Sequence, residues 1–373
     1  MKIALVHDWL GSRVGGAEHV FYDLAAHYPE ADLFALTYDE HTHVGFLGSR
    51  AVATSFLNRL PGFMRRRPAI FLPFMKRAVE GFDFTGYDLV ITNSTAWVKN
   101  IKLPSDVKHL CYCHSPARML WDSWPKYLKS QQLGPLKLGP VGRFVVTRWA
   151  SRLRLWDYYA ADRVDVLLGN SNYITRRIQK FYGRTSRVLY PPVNLIGCSN
   201  TDMKKSEYYL VLSVLNRYKN IDVAVEAFRG NGRQLIIAGD GPDRARLEAL
   251  AQRVPNIRFE GRVSNQRKTE LMRGARGFIF PSVEDFGITP IEAMSAGTPV
   301  IALRAGGLKE TVTEGVSGHF FDEPSAKALG AAVKEFEKQT WDPVRVASAA
   351  GKYSKEAFIK NLDAYVEEVT TTP

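Results

Sequence analysis

The sequence predicts an α/β protein made of two Rossmann-like, doubly wound domains. Short apolar runs alternate with amphipathic stretches along nearly the whole chain, which is the pattern of βαβ units with parallel sheets. A length of 373 residues suits two domains better than one. Hydrophobic residues make up 45% of the chain and aromatic residues 12%, so packed interiors are expected rather than disorder.

The first half starts with a predicted strand, a glycine loop and a helix. The apolar run KIALVHDW (2–9) is followed by LGSRVGGAE and then by the amphipathic HVFYDLAAHY. Further apolar runs that end in small or polar residues predict strands in YDLVITNS (87–94), VKHLCYCHS (107–115) and VDVLLGNS (164–171). A helix with a C-terminal glycine is predicted for NYITRRIQKFYG.

The pattern is interrupted at LYPPVNL (189–195), where two prolines precede a polar stretch. We therefore predict domains over 1–190 and 191–355, and a C-terminal helix over 356–373 that could pack back on the first domain. Alternating strands and helices resume in the second half, with strands in YLVLSVL, RQLIIAG, NIRFEGRV, ARGFIFPS, TPVIAL and SGHFFD and helices in NIDVAVEAF and RARLEALAQRV.

Positive charge is concentrated in the first half of the chain. Residues 1–190 hold 26 Lys and Arg against 15 Asp and Glu, out of 50 and 38 in the whole chain. Such a field favours an anionic partner. The segment 59–77, RLPGFMRRRPAIFLPFMKR, either contacts an anionic membrane surface or covers the core with solvated arginines. Nucleic acid is not expected, because no motif that reads DNA or RNA is present.

No signal peptide and no apolar run long enough to span a membrane are evident, so we expect a cytoplasmic protein, with peripheral contact to the inner face of the cell membrane as an option. Cys111, Cys113 and Cys198 are too few for a disulfide framework and are predicted to pack as thiols. No second Cys or His pair completes Cys111-x-Cys113-His114, and there is no Asp-x-Asp pair, so no metal and no cofactor are expected.

Ligands of open α/β sheets bind beyond the carboxyl ends of the strands, so polar residues there are candidates. Gly15 and Gly16 lie where the first helix begins and could offer amides to a phosphate, or form only a tight turn. His114 ends a strand and is either structural or catalytic. In the second half, Arg217 and Lys219 follow a strand and could clamp a diphosphate, or be surface charges.

The stretch PSVEDFGITPIEAMSAGTPVI (281–301) places Glu284 and Glu292 on either side of a Phe-Gly turn. Thr289 to Glu292 reads as a capping box with Pro at the first helical position, in which Glu292 only caps its own helix. Alternatively, Gly287 brings amides near an anion while the two carboxylates accept hydrogen bonds from sugar hydroxyls on both sides of a diphosphate.

At these residues the chain resembles glycosyltransferase family 4, retaining enzymes of the GT-B fold in which two Rossmann-like domains face a central cleft. The stretch that continues to ALRAGGLKE is similar to the Glu-x7-Glu signature of that family. HDWLGSRVGGAE, CYCHSPARMLWD, IIAGDGPDRARLEALA and NIRFEGRVSNQRKTELMRGA resemble other family segments in the expected order. HSPARMLWD and HDWL…GGAE are most similar to the bacterial mannosyltransferase-like branch.

The resemblance implies transfer of a hexose, with mannose from GDP-mannose favoured, to a glycan, polyprenyl-linked or glycolipid acceptor in bacterial surface polysaccharide or glycolipid synthesis. It implies that Glu292 binds the ribose and Glu284 the hexose, with His114 near the reaction centre. The other implied donor contacts are Lys219 and Gly16 to the diphosphate, amides around Phe286, Gly287 and Ile288 to the diphosphate and hexose, and the region of Arg262 and Val263 to the base.

One position departs from the family pattern. Val214 stands where the family usually has an arginine ahead of the clamp lysine, and Arg217 could supply that charge instead. Because of this departure, a non-catalytic sugar-nucleotide-binding protein stays an alternative, as does a sugar-nucleotide epimerase of similar architecture.

Overall fold

The computed structural model describes residues 1–12, 14–61, 72–122, 124, 139–198 and 206–371. The chain divides into two compact units, unit 1 (Met1–Pro191 with Phe358–Pro373) and unit 2 (Pro192–Ala357). The domain boundary that the sequence predicts after residue 190 falls next to this division. Residues 62–71, which form most of the basic segment 59–77, lie outside the described part of the chain.

Unit 1 is built on a parallel sheet in the order β3-β2-β1-β4-β5-β6-β7. Its strands are β1 Ile3–Leu10, β2 Asp32–Tyr38, β3 Val52–Thr54, β4 Leu89–Ser94, β5 Lys108–Cys113, β6 Val166–Gly169 and β7 Arg187–Val188. Its helices are α1 Gly16–His27, α2 Glu40–Leu47, α3 Met75–Val79, α4 Arg118–Trp121, α5 Pro140–Ala160 and α6 Asn172–Tyr182. The order reverses between β1 and β4, the kind of switch point at which open α/β sheets bind ligands.

The C-terminal helix α14, Lys355–Thr371, belongs mainly to unit 1. Phe358, Leu362 and Val366 lie in the same apolar cluster as residues of β1 and α1. The Phe358 ring meets the Tyr112 ring edge-on at 5.9 Å between centroids. An apolar stripe at helical spacing on α14 therefore packs against one face of the sheet.

Unit 2 is built on a second parallel sheet, in the order β10-β9-β8-β11-β12-β13. Its strands are β8 Tyr208–Leu212, β9 Gln234–Ala238, β10 Ile257–Gly261, β11 Gly277–Phe280, β12 Val300–Leu303 and β13 Gly318–Phe321. Its helices are α7 Ile221–Phe228, α8 Arg244–Leu250, α9 Asn265–Gly274, α10 Ile288–Ser295, α11 Leu308–Thr311, α12 Ala326–Glu337 and α13 Pro343–Ser348. The order reverses between β8 and β11, so the loops after these two strands meet at a second switch point.

Every strand and helix predicted above has a counterpart within a few residues, and the two-domain α/β prediction is confirmed. The sequence pattern gave no prediction for the strands β2, β3 and β7, nor for the helices α2 to α5, α9 and α11 to α13. The two-residue β7 and three-residue β3 are too short for a periodic signal, and α5 has an unusual outward face that is described below. Among the described residues, no helix combines the length and apolar content needed to cross a bilayer.

Candidate active site

The loops after β8 and β11 bring Lys219 and Glu284 together. Lys219 ends a short 3-10 turn, Arg217–Lys219, and its Nζ lies 2.5 Å from Glu284 Oε1. The next residue, Asn220, is left-handed with φ of 52° and donates from Nδ2 to Pro281 O at 3.2 Å, which ties the two loops to each other. Both partners of the ion pair keep some solvent exposure, so a ligand can reach them.

The main chain of Glu284 is held by the loop after β12. Gly307 N donates to Glu284 O at 2.8 Å. A Cβ added to Gly306, whose φ is +60°, would stand 2.1 Å from the same oxygen. Two small residues are therefore required here, because only a bare backbone can approach Glu284 so closely.

Glu292 lies one turn inside α10 and is nearly buried. Its Oε1 lies 2.8 Å from Lys268 Nζ on α9. The predicted capping box is wrong: α10 begins at Ile288 with Gly287 as its N-cap, so Thr289 is already helical and cannot cap. Pro290 is accordingly the third residue of the helix and not the first. At the third position its missing N–H still costs no helical hydrogen bond.

The turn before α10 depends on Gly287, as the sequence suggested. Its φ is +91°, and a Cβ there would approach Leu308 Cδ2 to 2.9 Å. Phe286 holds the turn against the interior, since its buried ring contacts the Tyr353 ring at 5.4 Å between centroids. The half-buried Ile288 opens the helix. These three residues place the first amides of α10 beside the loop that carries Glu284.

Arg217 is not part of the Lys219–Glu284 pair in this structure. Its side chain is 80% exposed, and its Nε lies 3.8 Å from Asp243 Oδ1. Asp243 is in turn held at two points by Arg246, at 2.7 Å each. Val214, at the position of the usual family arginine, is exposed as well. The geometry therefore gives Arg217 no contact with either glutamate.

Arg262 and Val263 follow the edge strand β10 and lead directly into α9. Arg262 is exposed and Val263 half-buried. Ser264 caps α9 by accepting a hydrogen bond from Arg267 N at 3.2 Å. The strand end that was predicted to face the base is thus joined to the helix that supplies Lys268 to Glu292.

In unit 1, Gly15 and Gly16 form the start of α1. Gly15 is the N-cap, and its amide donates to Glu18 Oε2 at 2.7 Å. Glu18 Oε1 lies 3.7 Å from Nε2 of the buried His7. Burial alone would raise the pKa of Glu18, but His7 and backbone amides hold this pKa below its usual value. The Gly15 amide is therefore already bound by a carboxylate.

His114 is joined to this helix start through Asn93 on β4. Asn93 Nδ2 donates to Ala17 O at 2.8 Å, which directs its Oδ1 toward His114 Nε2 at 2.7 Å. An amide oxygen only accepts, so Nε2 of His114 carries the proton and Nδ1 presents a lone pair. Burial lowers the pKa of His114 to about 3, with His7 adding to the effect, so the ring is neutral near pH 7.

Asp8, which also ends the first predicted strand, has a structural role. Its buried carboxylate accepts hydrogen bonds from the amides of Ala96 at 2.8 Å and of Trp97 and Val98 at 2.9 Å. It also accepts the amide and hydroxyl of Thr95. Its acceptor capacity is used to shape the loop after β4, beside Asn93.

Four residues of these sites were not predicted from the sequence: Lys268, Asn93, Gly306 and Gly307. The adjacent glycines in ALRAGGLKE are a sequence signal for the contact with Glu284, because adjacent glycines mark places where two backbones approach closely. Lys268 and Asn93 carried no local signal, since their roles depend on neighbouring elements in space.

Both halves of the chain match families of known proteins. Residues 14–196 match "Glycosyltransferase Family 4", and residues 199–356 match "Glycosyl transferases group 1". Curated relatives span the full length: the alpha-1,3/1,6-mannosyltransferase ALG2 is 25% identical in Dictyostelium discoideum and 26% identical in Homo sapiens, over 99% of this chain and 98% and 96% of those proteins. O-antigen chain mannosyltransferase C of Escherichia coli is 28% identical over 44% of this chain and 46% of that protein.

Solved structures share the fold over the whole chain. HepE of Anabaena, crystallised with UDP, is 17% identical with a TM-score of 0.71, covering 99% of this chain and 100% of that one. The lipopolysaccharide outer core galactosyltransferase WaaB is 18% identical with a TM-score of 0.67, covering 99% of both chains. Two Rossmann-like units with these neighbours define the GT-B fold, and the two family matches identify a glycosyltransferase. The chain belongs to glycosyltransferase family 4.

Proposed function

We propose that the protein transfers mannose from GDP-mannose to a hydroxyl of a glycan or lipid-linked acceptor, with retention at the anomeric carbon. The observation that carries this proposal is the pair of glutamates in unit 2, each held by a lysine from another element at the carboxyl edge of the sheet. The full-length relatives are named mannosyltransferases, which favours mannose, and they do not favour an epimerase.

A sugar nucleotide has a diphosphate between two polyols, and the site offers matching groups. Lys219 can turn from Glu284 to the diphosphate, which releases the Glu284 carboxylate to accept hydrogen bonds from hexose hydroxyls. Glu292, fixed by Lys268, can accept the ribose hydroxyls. Amides of Phe286, Gly287 and Ile288 are assigned to the diphosphate and hexose, and the region of Arg262 and Val263 to the base.

In the reaction, the bond between C1 and the diphosphate oxygen breaks, the acceptor hydroxyl gives its proton to the departing diphosphate, and the acceptor oxygen bonds to C1 on the same face. Negative charge grows on the departing diphosphate, where Lys219 and the amides at the start of α10 stabilise it electrostatically. These groups would serve without a divalent ion, so we expect transfer to persist in a metal chelator. In unit 1, Gly16 is assigned to the diphosphate and His114, with its Nδ1 lone pair, to a hydroxyl of the transferred sugar.

The acceptor is proposed to be a glycan, polyprenyl-linked or glycolipid molecule at an anionic membrane surface, with the segment 59–77 touching that surface. This part rests on the sequence alone, through Arg65, Arg66 and Arg67.

The donor can be tested by thermal shift with GDP-, UDP- and dTDP-sugars, since a ligand that binds only the folded protein stabilises it by mass action. GDP-mannose should raise Tm most, and Glu292→Ala should reduce the shift. HepE was crystallised with UDP-glucose, so a UDP-sugar is the alternative that this screen distinguishes. NMR of the product formed from the best donor then gives its anomeric configuration; an inverted product would reject the proposed stereochemistry.

A further inference from the structure

The outward face of α5 in unit 1 is unlike that of an ordinary surface helix. Phe144, Leu155 and Tyr159 are 70%, 57% and 64% exposed. At spacings of three and four residues they share one side of the helix with the exposed Arg148 and Arg152. A solvated helix would carry polar residues along the centre of this face, whereas here apolar and cationic side chains alternate.

The flanks of this face continue the same chemistry. Val145, Trp149 and Tyr158 are exposed beside the central row. The sole acid in the α5 sequence, Asp157, is turned inward and buried, with its Oδ1 2.7 Å from Lys99 Nζ. We name the exposed set the α5 face: Phe144, Val145, Arg148, Trp149, Arg152, Leu155, Tyr158 and Tyr159.

The inward side of α5 packs against the rest of unit 1, which leaves the opposite face turned outward. Ala150 and Leu153 lie in the apolar cluster beneath it, together with Trp97. Asp157 also accepts a hydrogen bond from Trp121 Nε1 at 2.7 Å, which links α5 to the segment that follows His114. The helix has 21 residues, so at 1.5 Å per residue the face extends about 31 Å.

We propose that the α5 face is a docking surface for an anionic lipid membrane. Phe, Leu, Trp and Tyr side chains insert among acyl chains and headgroups, and Arg148 and Arg152 pair with lipid phosphates while their alkyl stems lie along the apolar row. A face without an exposed acid complements a negative surface, and each arginine adds to the attraction. The α5 face shares no residue with the segment 59–77, and the proposal does not depend on which donor the enzyme uses.

The test is flotation of the full chain with vesicles of phosphatidylcholine alone or with added phosphatidylglycerol. Wild type should bind the anionic vesicles and lose them at high salt. Arg148→Glu combined with Arg152→Glu should weaken this partitioning roughly tenfold to hundredfold. The matched control is Lys327→Glu with Lys334→Glu, an equal charge change on exposed lysines of α12 in unit 2, which should bind nearly as wild type does. Equal losses in both double variants would reduce the effect to net charge and overturn the proposal.

Insertion of the apolar side chains of the α5 face into the bilayer is tested with brominated lipid, which quenches the fluorescence of nearby tryptophan. Wild type should be quenched more than Trp149→Phe, and Phe144→Asp with Leu155→Asp should abolish vesicle binding with Tm and sugar-nucleotide shifts unchanged. Equal quenching in Trp149→Phe, or no binding to either vesicle, would overturn the proposal. So would a wild-type dimer that these aspartates dissociate without affecting vesicle binding, because the face would then join two copies of the chain.

Discussion

At the carboxyl edge of its sheet, unit 2 holds two glutamates that each contact a lysine, whereas unit 1 holds a histidine fixed by a neutral amide. The ions of each lysine–glutamate pair can exchange partners. A diphosphate can take the place of the carboxylate on the lysine, and hydroxyls can donate hydrogen bonds to the glutamate that is released. The Asn93–His114 bond is short, buried on the Asn93 side and fixed in direction by Ala17 O. Unit 2 therefore presents charged side chains at this edge, whereas unit 1 presents a neutral histidine whose orientation is fixed by Asn93.

The largest effect on this difference between the units is expected from Lys219→Ala. It removes the cation assigned to the diphosphate and leaves Glu284 without its ammonium partner. A charged hydrogen bond contributes about 1.5–3 kcal/mol, so transfer should fall about a hundredfold and nucleoside diphosphate affinity should fall with it. Single-turnover transfer and calorimetric titration measure both quantities.

Arg217→Ala is the matched control, because it removes a neighbouring cation that is mostly solvated. An exposed charge is worth at most about 1 kcal/mol, so its loss should change the rate no more than about fivefold. If Arg217→Ala were as damaging as Lys219→Ala, Arg217 would have to turn toward the diphosphate on binding and would replace the arginine missing at Val214.

The two glutamates should separate binding from turnover. Glu292→Ala removes the carboxylate assigned to the ribose and should weaken nucleoside diphosphate affinity about tenfold to hundredfold. Glu284→Ala should lower kcat by a similar factor with a smaller effect on nucleotide affinity, because Glu284 is assigned to the hexose. Titration with GDP and with GDP-mannose distinguishes them; unchanged GDP affinity in Glu292→Ala would contradict the ribose assignment.

Much of this arrangement could be predicted because its signals are local. The strands are continuous apolar runs, and Gly287 and the two glutamates occur in one short stretch. The predicted capping box failed because the left-handed Gly287 begins the helix earlier, which sequence spacing alone does not reveal. Lys268 could not be predicted as the partner of Glu292, since their contact depends on how α9 packs beside α10. The tautomer of His114 likewise follows from an amide on another strand.

Gly306→Ala tests the role assigned to the Glu284 backbone. The new Cβ would collide with Glu284 O, and the left-handed φ adds strain of about 1–2 kcal/mol. We expect a loss of about 1–3 kcal/mol in the free energy of unfolding and a several-fold lower kcat, with GDP affinity retained through Glu292. Gly330→Ala in α12 is the control, because no atom lies within 4 Å of its added Cβ and alanine favours the helix. Equal Tm changes in the two variants would contradict the close approach.

The remaining prediction concerns the neutral site in unit 1, and its effect is seen in the pH dependence rather than in the maximum rate. Asn93→Asp would place a carboxylate next to His114 Nε2, and a neighbouring negative charge raises the pKa of a histidine. In wild type this pKa is lowered to about 3, so His114 stays neutral from pH 5 to 8 and adds no slope to kcat/KM there.

In the variant, protonation as the pH falls through the raised pKa would occupy the Nδ1 lone pair, and the rate should drop on the acidic side by roughly tenfold. At higher pH the ring is neutral again and much of the rate should return. Asn93→Ala removes the orienting oxygen without adding charge, so it should lower kcat/KM evenly across the same pH range. Parallel pH profiles for the two variants would mean that His114 does not act as a neutral hydrogen-bond acceptor, and the contrast between the two units would then rest on unit 2 alone.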